Sequence, residues 1–172
     1  MTFIEGMFFC DAESQLGEVM GNEIENNIAG VESFPLRIIR DDHGAVMHML
    51  KSTDPYFKKF GEVYFSVVNS GKVKGWKRHK SIYQFMTVPE GEIRLVIYDN
   101  REDSHTKGHI MTVDFGPNNY ILLKMPPMLW YSFKSITPNF YSIISNCTTA
   151  PHDPAESETL PLGTTVIPYQ WC

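Results

Sequence analysis

From residue 35 onward, apolar and polar residues alternate in short runs separated by turn residues. In EVYFSVV (62–68), three apolar side chains alternate with Tyr64, Ser66 and Val68. Side chains two positions apart in a β-strand point to the same side. EIRLVIYD (92–99) alternates in the same way. The pattern predicts nine strands, over residues 35–40, 46–50, 62–68, 83–88, 92–99, 109–115, 119–124, 129–133 and 139–145.

The segments between these runs, such as DDHG, NSG, PEGE, GPNN and TPN, consist of residues that favour turns. One short helix is predicted over STDPYFKKF (52–60), with Ser52 or Thr53 as its N-cap. Many short strands without alternating helices are typical of an antiparallel sandwich or barrel, so an all-β fold is expected. The mixed Tyr, Ser and Val face of residues 62–68 suits either an interior that holds a polar ligand or a half-exposed sheet face.

Both ends of the chain lack clear periodicity. Residues 1–30 give mixed signals and are interpreted as an N-terminal extension, with a dimer arm as one interpretation. Residues 151–172 are rich in Pro, Thr and acidic residues and are predicted to form an irregular C-terminal segment. Their end carries Val166, Ile167 and Trp171, which could pack on the body or on a partner chain. The range 31–150 then forms a single β domain.

Composition narrows the class of protein. A chain of 172 residues with 42% hydrophobic and 20% charged residues is typical of one globular domain. The net charge of −5 argues against a nucleic-acid partner, although a local basic cluster can still bind a phosphate. No apolar run approaches the ~20 residues that a membrane-spanning helix needs. The N-terminus lacks the positive charge of a signal peptide, and the three cysteines form no C-x-x-C pair. A cytoplasmic protein with reduced thiols is expected.

The order of motifs carries a resemblance to a known family. A strand ending in RDDHG is followed by the helix near residue 55, NSGKVKGWKRHK, KMPPMLWYSF and SIISNCT. From about residue 30 to about residue 150 this order resembles the dTDP-4-dehydrorhamnose 3,5-epimerase family and the related sugar 3,4-ketoisomerases. The resemblance implies a cupin-type double-stranded β-helix, or jelly roll, that is usually a homodimer. It also implies an isomerase acting on a nucleotide-activated 4-keto-6-deoxy sugar through an enolate, in deoxysugar and surface polysaccharide biosynthesis.

The family motifs fall on KGWKRHKSIYQ with substitutions. In the epimerases the motif is Arg-Gly-Leu-His-Tyr, and its Arg falls on Lys74 and its catalytic His on Lys77. In the ketoisomerases the motif is Arg-Gly-Tyr-His-x-His-Lys followed by Gln, and its second His falls on His79 and its Gln on Gln84. The resemblance therefore implies substrate contacts from Lys74 and Gln84, while the first histidine is replaced.

The remaining imidazole can serve as the base. Lys77 and His79 are two positions apart, so their side chains share a face where the backbone is extended as in a strand. The positive charge of Lys77 favours a neutral His79. Removal of a carbon-bound proton beside a ketone needs a base, and a neutral imidazole suits that task. We therefore predict His79 as the base and Lys77 as the group that stabilises the oxyanion or contacts a phosphate.

The proton donor is harder to assign. The family's catalytic tyrosine falls on Ser145, and a family histidine falls on Tyr131. Tyr131 is predicted as the catalytic acid, with Tyr83 as a further candidate, although either side chain could simply pack as an aromatic. Arg78 and Tyr83, which lie in or beside the basic motif, are further predicted substrate contacts, as is Tyr64 on the mixed face of residues 62–68. The resemblance adds His43, on which the arginine of the family's Asp-Asp-Arg-Gly motif falls.

The same residues have three other interpretations: a metal site, a nucleic-acid-binding patch and a binding protein without catalysis. A catalytic metal needs about three protein ligands, and only His79 stands at an expected position, so neither a metal nor another cofactor is expected. Alternation splits the basic residues of KVKGWKRHK between two faces, which disfavours a nucleic-acid patch. A catalytically silent sugar-nucleotide-binding or regulatory cupin remains the alternative to an enzyme.

Overall fold

The fold of residues 28–171 is described by a computed structural model. These residues form twelve strands and one short 3-10 helix, Pro154–Glu156. The strands are β1 Glu32–Pro35, β2 Ile38–Asp41, β3 Gly44–Met47, β4 Glu62–Val68, β5 Val73–His79, β6 Gln84–Glu90, β7 Ile93–Asp99, β8 Ile110–Phe115, β9 Ile121–Met125, β10 Leu129–Ser135, β11 Ser142–Thr148 and β12 Ser157–Thr159.

Two five-stranded antiparallel sheets make up the body. Sheet one has the strand order β1-β9-β6-β11-β4, and sheet two has the order β12-β5-β10-β7-β8. Strands β2 and β3 form a separate hairpin. Strands distant in sequence are therefore neighbours, as in β6 beside β11 and β5 beside β10. This architecture confirms the expected all-β fold.

The main core lies between the two sheets and follows from the alternation in the sequence. Ile93, Leu95 and Ile97 of β7 are fully buried and face Met86, Leu123 and other apolar side chains of sheet one within one cluster. Burial of such side chains removes apolar area from water at about 25 cal/mol per Å². This term is the main stabilising contribution of the fold.

The outer faces of the sheets are covered unequally. On sheet two, the C-terminal residues pack over Trp76 and Trp130, with Ile167 buried and Trp171 partly buried in that cluster. On sheet one, the residues around the hairpin cover Phe85, Leu122 and the free thiol of Cys147. The outer face of β4 stays exposed.

Apart from shifted boundaries, the structure differs from the predicted elements at four places. The run predicted as one strand over 35–40 is divided between β1 Glu32–Pro35 and β2 Ile38–Asp41. Residues 52–60 form turns instead of a helix, with hydrogen bonds from Asp54 N to Lys51 O and from Phe57 N to Asp54 O. Tyr56 stacks on Phe34 at 3.8 Å between ring centroids, so tertiary packing overrides the local helix signal. Residues 73–79 form a strand not among the nine. Residues 157–159 form another inside the segment predicted to be irregular.

The predictions for residues 1–27 lie outside the described part of the chain. Within residues 28–171, no helix has both the length and the apolar character that crossing a membrane would require. The packing of Ile167 and Trp171 on the body agrees with one of the two predicted interpretations, whereas Val166 is exposed.

The core makes a direct prediction about stability. Substitution of the fully buried Leu95 by Ala leaves a cavity between the sheets and should lower the free energy of unfolding by about 2–5 kcal/mol. Val46 is 59% exposed on the hairpin, so Val46→Ala should change it by less than about 0.5 kcal/mol. Urea unfolding of both variants measures the difference. Equal effects would contradict the placement of Leu95 in the core.

Candidate active site

A β-bulge shapes the strand that carries the basic motif. In the pairing of β5 with β10, Lys77 lies opposite Tyr131 and Gly75 lies opposite Ser132, so the register shifts at Trp76. Gly75 has φ of 121°, and a Cβ there would lie 2.8 Å from Ser132 Cα. Only glycine fits such a close approach with a positive φ. The bulge therefore explains the glycine of KGWKRHK.

Lys77 and His79 line one cavity at the edge of the two sheets. The cavity has a volume of about 390 Å³. Strand β4 of sheet one and strand β5 of sheet two both contribute to it. The side chains that line it are Glu62, Tyr64, Lys77, His79, Ile82, Thr148, His152, Asp153 and Glu156. The shared face of Lys77 and His79 is thus as their spacing predicted.

A carboxylate holds the imidazole of His79. Nδ1 of His79 lies 2.5 Å from Oε2 of Glu156, and the two residues are 77 positions apart in the chain. Both side chains are largely buried. Nε2 of His79 is buried and has no hydrogen-bond partner among the described residues. A proton on Nδ1 that is donated to the carboxylate leaves Nε2 as a lone-pair acceptor, which is the form a general base requires.

The second oxygen of Glu156 is also anchored. Oε1 accepts hydrogen bonds from the backbone N–H groups of Ser81 at 2.7 Å and Ile82 at 3.0 Å. Burial opposes ionisation of Glu156, but these bonds and the one from His79 outweigh it and lower its pKa. Glu156 is therefore an ionised, oriented acceptor for His79 at neutral pH.

The electrostatics keep the imidazole neutral. The pKa of His79 is lowered, chiefly by burial and further by the charge of Lys77, while Glu156 partly opposes the shift. The pKa of Lys77 is also lowered by burial, against the opposing charges of Glu156 and Glu62. The cavity thus combines a neutral imidazole with an adjacent amine. This pairing suits abstraction of a proton next to a group that develops negative charge.

Two tyrosines share one glutamine next to the base. Nε2 of Gln84 donates to the Tyr131 hydroxyl at 3.1 Å and also interacts with the Tyr64 hydroxyl. The ring of Tyr131 is nearly parallel to that of His79, with centroids 6.2 Å apart. Burial raises the pKa of Tyr64, so its hydroxyl stays protonated at neutral pH. Tyr64 lines the cavity and is positioned as a donor.

The structure does not bring the predicted acid to the cavity surface. Tyr131 lies in the core beneath the cavity and is not among its lining residues. Burial raises its pKa far above the ordinary value, so it remains a protonated packing and hydrogen-bonding residue. Tyr131 faces the core from the central strand β10, where it lies opposite Lys77 of β5.

Several predicted substrate contacts also lie elsewhere. Arg78 points to the outer face, where it contacts Trp130. Tyr83 packs on the outside of sheet one, and His43 is exposed in the turn between β2 and β3. Lys74 is exposed and lies opposite Phe133, on the side of β5 that carries Lys77, but does not line the cavity. Side-chain alternation and the bulge account for these placements.

The sequence interpretation missed the partner of the base. Glu156 stands in a Pro-rich, acidic segment that carries no strand pattern. Its role depends on β12 pairing with β5, in which Ser157 lies opposite His79. Glu62 and His152, also missed, line the cavity from β4 and from the loop before the 3-10 helix. Within residues 28–171, no group of three or more His, Cys, Asp or Glu side chains is arranged to hold a metal ion.

Together, the two-sheet jelly roll and the acid–base cavity at its edge define a cupin-type protein. No family model matches the chain. A probable low-salt glycan biosynthesis epimerase of Haloferax volcanii is 32% identical over 112 residues, covering 64% of this chain and 72% of that protein. A spore coat polysaccharide biosynthesis protein of Bacillus subtilis is 26% identical over 145 residues, covering 84% and 96%.

Solved structures agree with these relatives. A dTDP sugar isomerase from Desulfovibrio desulfuricans is 43% identical, with a TM-score of 0.81 over 84% of this chain and 92% of that chain. Solved dTDP-4-dehydrorhamnose 3,5-epimerases align with TM-scores of 0.71 and 0.74 at 13% and 18% identity, which shows the shared fold. The chain belongs to the dTDP-4-dehydrorhamnose 3,5-epimerase family of dTDP-sugar epimerases and isomerases, and the resemblance stated from the sequence is confirmed.

The site makes a prediction about the titration of His79. Its midpoint, followed by NMR, should lie below the ordinary histidine pKa of about 6.5 because burial and Lys77 disfavour the imidazolium. Lys77→Met should raise the midpoint, whereas Glu156→Gln should lower it, because the carboxylate favours the charged ring. Lys72→Met, an exposed lysine on the same motif, is the control and should change nothing. Shifts of the same sign in the first two variants would contradict the assigned geometry.

Proposed function

We propose that this protein is an epimerase or ketoisomerase of a nucleotide-activated 4-keto-6-deoxyhexose, acting through an enolate in glycan or polysaccharide biosynthesis. The observation that carries the proposal is the buried His79–Glu156 pair on the wall of a cavity that also holds Lys77 and Tyr64. The family relatives at 32% and 43% identity are named as a glycan biosynthesis epimerase and a dTDP sugar isomerase.

The first step is removal of a proton from the carbon next to the C4 ketone. Nε2 of His79 takes the proton, and the electron pair of the broken C–H bond forms the enolate, whose charge lies on the former ketone oxygen. Glu156 stabilises the imidazolium that results. The ammonium of Lys77 faces the same cavity and stabilises the oxygen anion, so each developing charge has an opposite charge nearby.

The second step is return of a proton to carbon. Tyr64 is on β4 of sheet one, whereas His79 is on β5 of sheet two, so the two groups approach a sugar ring from different walls. A proton delivered by the Tyr64 hydroxyl reaches the ring face opposite to His79 and inverts the carbon. The tyrosinate then takes a proton from solvent and the imidazolium of His79 gives its proton up to solvent at the open end of the cavity, which restores both groups. We therefore assign the acid role to Tyr64 instead of Tyr131.

The dimensions and charges of the cavity support a sugar nucleotide as the ligand. A volume of about 390 Å³ suits one hexose ring, and small-molecule pockets of about 300–1,000 Å³ are usual. The nucleotide must then extend beyond the cavity. Lys74 is exposed on the Lys77 side of β5, and its charge supports a contact with the pyrophosphate, although a lysine lacks the bidentate geometry of the family's arginine.

A silent binding protein would not need this arrangement. Burial of an ionised carboxylate costs several kcal/mol unless hydrogen bonds compensate it. Glu156 is held by His79 Nδ1 and by two backbone N–H groups. The other imidazole nitrogen, Nε2, has no hydrogen-bond partner among the described residues. That arrangement orients a base and adds little to shape recognition, so we favour the enzyme over the regulatory cupin.

Hydrogen exchange tests the proposal. The protein is incubated with dTDP-4-keto-6-deoxyglucose in deuterated water, and deuterium at C3 and C5 is followed by NMR. His79→Gln should slow exchange by about 10²- to 10⁴-fold. The exposed His43→Gln is the matched control and should retain the wild-type rate. Absence of exchange in the wild-type protein, together with measurable binding of the sugar nucleotide, would favour the silent binder.

The two tyrosines separate the roles of acid and packing residue. Tyr64→Phe should still exchange deuterium at the carbon that His79 attacks, because abstraction and return on one face remain possible. Inversion of that carbon should fall by about 10²-fold or more. Tyr131→Phe should retain inversion. The reverse pattern would return the acid role to Tyr131.

We also propose that the protein is a homodimer in the cytoplasm. The outer face of β4 exposes Val63, Phe65 and Val67 by 47%, 66% and 50%, which forms an apolar stripe on an edge strand of sheet one. Such stripes are typical of interfaces between chains, and a second copy is the family's expected partner. The unpaired buried thiol of Cys147 supports a reducing compartment.

Substitution on this stripe tests the dimer. Phe65→Asp places a charge in the proposed interface and should convert the dimer to monomer in sedimentation velocity. Val46→Asp introduces the same charge at an equally exposed apolar position of the hairpin, and should leave the dimer intact. A monomeric wild-type protein, or a dimer unaffected by Phe65→Asp, would refute the interface.

A further inference from the structure

The carboxylate that orients His79 lies directly before β12, a strand that is not among the nine predicted from the sequence. Glu156 ends the 3-10 helix and immediately precedes β12, which has only three residues. Strand β12 pairs with β5 at the edge of sheet two, with Ser157 opposite His79 and Thr159 opposite Lys77. The register of this short ladder therefore decides whether Glu156 reaches the imidazole.

Backbone pairing alone is a weak determinant of the register of β12. Backbone hydrogen bonds from Lys80 N to Glu156 O at 3.0 Å and from Leu160 N to Trp76 O at 3.0 Å extend the pairing beyond the three residues, but such bonds do not depend on the side chains. A slip of two residues preserves both the backbone hydrogen bonding and the side-chain faces of a strand. At ~3.3 Å per residue it would move Glu156 by about 6.6 Å. The 2.5 Å contact with His79 would then be lost. The contacts of Glu156 with His79, Ser81 and Ile82 favour the observed register, and a second side-chain contact on β12 would strengthen that preference.

Arg78 supplies that contact on the outer face of β5. Its guanidinium binds the carboxylate of Glu158 through two nitrogens, with Nε at 2.8 Å from Oε2. Nη1 donates to Oδ1 of Asn100 at 3.3 Å, and the guanidinium carbon lies 4.6 Å from the centroid of Trp130. Trp130 belongs to β10 of sheet two and Asn100 directly follows β7 of the same sheet, so both hold Arg78 in place while it binds β12.

The neighbours of Glu158 make this contact specific for the register. A two-residue slip in one direction would place Leu160 opposite Arg78, which would lose the ion pair. A slip in the other direction would place Glu156 there, which would engage the carboxylate that His79 needs. Only the observed register satisfies Arg78 with Glu158 and His79 with Glu156 together.

We propose that Arg78 is a positioning residue for the reaction: through Glu158 it fixes β12 in the register that holds Glu156 against His79. The inference rests on the proposed function for its catalytic consequence, but its structural part does not. Arg78, predicted from the sequence as a substrate contact, thus acts from the face opposite the cavity.

Substitution of either partner of the Arg78–Glu158 ion pair tests the proposal in two measurements. Arg78→Met keeps an apolar stem against Trp130 but removes the charge, and Glu158→Gln removes the opposite charge. Each should lower kcat by about tenfold to a hundredfold, because a displaced catalytic group costs about that much. KM should stay within about twofold. The double variant should lose no more than either single variant, since both break one contact.

Titration of His79 provides the readout that does not depend on activity. The charged or titratable groups that face His79 are Glu156, Lys77, His152 and Tyr131. Loss of the Glu156 contact should lower the NMR midpoint of His79 and move the acidic limb of kcat/KM to lower pH. Arg78→Lys retains the charge without the planar fork and should restore part of both effects.

A similar ion pair on the same sheet is the matched control. Arg94 on β7 binds Asp114 through two nitrogens, and Arg94→Met should leave the midpoint and kcat unchanged. The proposal is supported if Arg78→Met shifts His79 and Arg94→Met does not. It is overturned if His79 titrates normally in Arg78→Met, whatever the loss of stability. Should Arg78→Met fail to fold, Glu158→Gln carries the same test.

The two hypotheses fail in different ways. If the wild-type protein shows no exchange, the proposed function is wrong, and the midpoint of His79 still decides the role of Arg78. If exchange is normal in Arg78→Met, the positioning role is wrong and the proposed function stands.

Discussion

The buried hydrogen bond between His79 and Glu156 is the interaction on which the rest of the site depends. It joins residues 77 positions apart, so it exists only when the sheets are closed and β12 has docked on β5. The carboxylate is compensated by Ser81 and Ile82 N–H groups, so its burial is tolerated. Because this bond occupies Nδ1 of His79, Nε2 is left as the nitrogen that can accept a proton in the proposed reaction. Folding of the C-terminal segment and assembly of the base are therefore one event.

The position of Lys77 fits the proposal that the site keeps the family's chemistry with a different set of residues. Where the family has its first histidine, the chain has a lysine, and the imidazole lies two residues later on the same face. The charge of Lys77 lowers the pKa of His79 and so helps to keep the imidazole neutral, and in the proposed reaction the same charge stabilises the enolate oxygen. The departures from the family motif thus fit a site with the roles rearranged, and they do not require loss of function.

Local patterns predicted most of the fold but only part of the site. Alternation identified the strands that form the core, because each buries one face between two sheets. Spacing predicted that Lys77 and His79 share a face, since that depends on one strand alone. The spacing of residues did not reveal the bulge at Gly75. The face of β5 on which Lys74 lies could therefore be assigned only from the pairing of β5 with β10. The helix at 52–60 failed because Tyr56 packs on Phe34, a contact that no local pattern encodes.

The carboxylate partner of His79 and the proposed proton donor could be identified only from the three-dimensional structure. Glu156 has no periodic signal, and its function arises from the register of a three-residue strand. Tyr131 looked free in the sequence but lies in the core, whereas Tyr64 faces the cavity from the other sheet. Choosing between them requires knowing which tyrosine reaches the surface of the cavity.

A crystal structure with an unreactive dTDP-6-deoxyhexose bound would show directly whether His79 and Tyr64 lie on opposite faces of the sugar. The sugar ring should lie between β4 and β5, with the carbon to be deprotonated about 3–3.5 Å from Nε2 of His79. The Tyr64 hydroxyl should face the opposite side of the ring, and the C4 oxygen should contact Lys77. A sugar bound elsewhere, or one whose ring presents the same face to His79 and Tyr64, would contradict this arrangement.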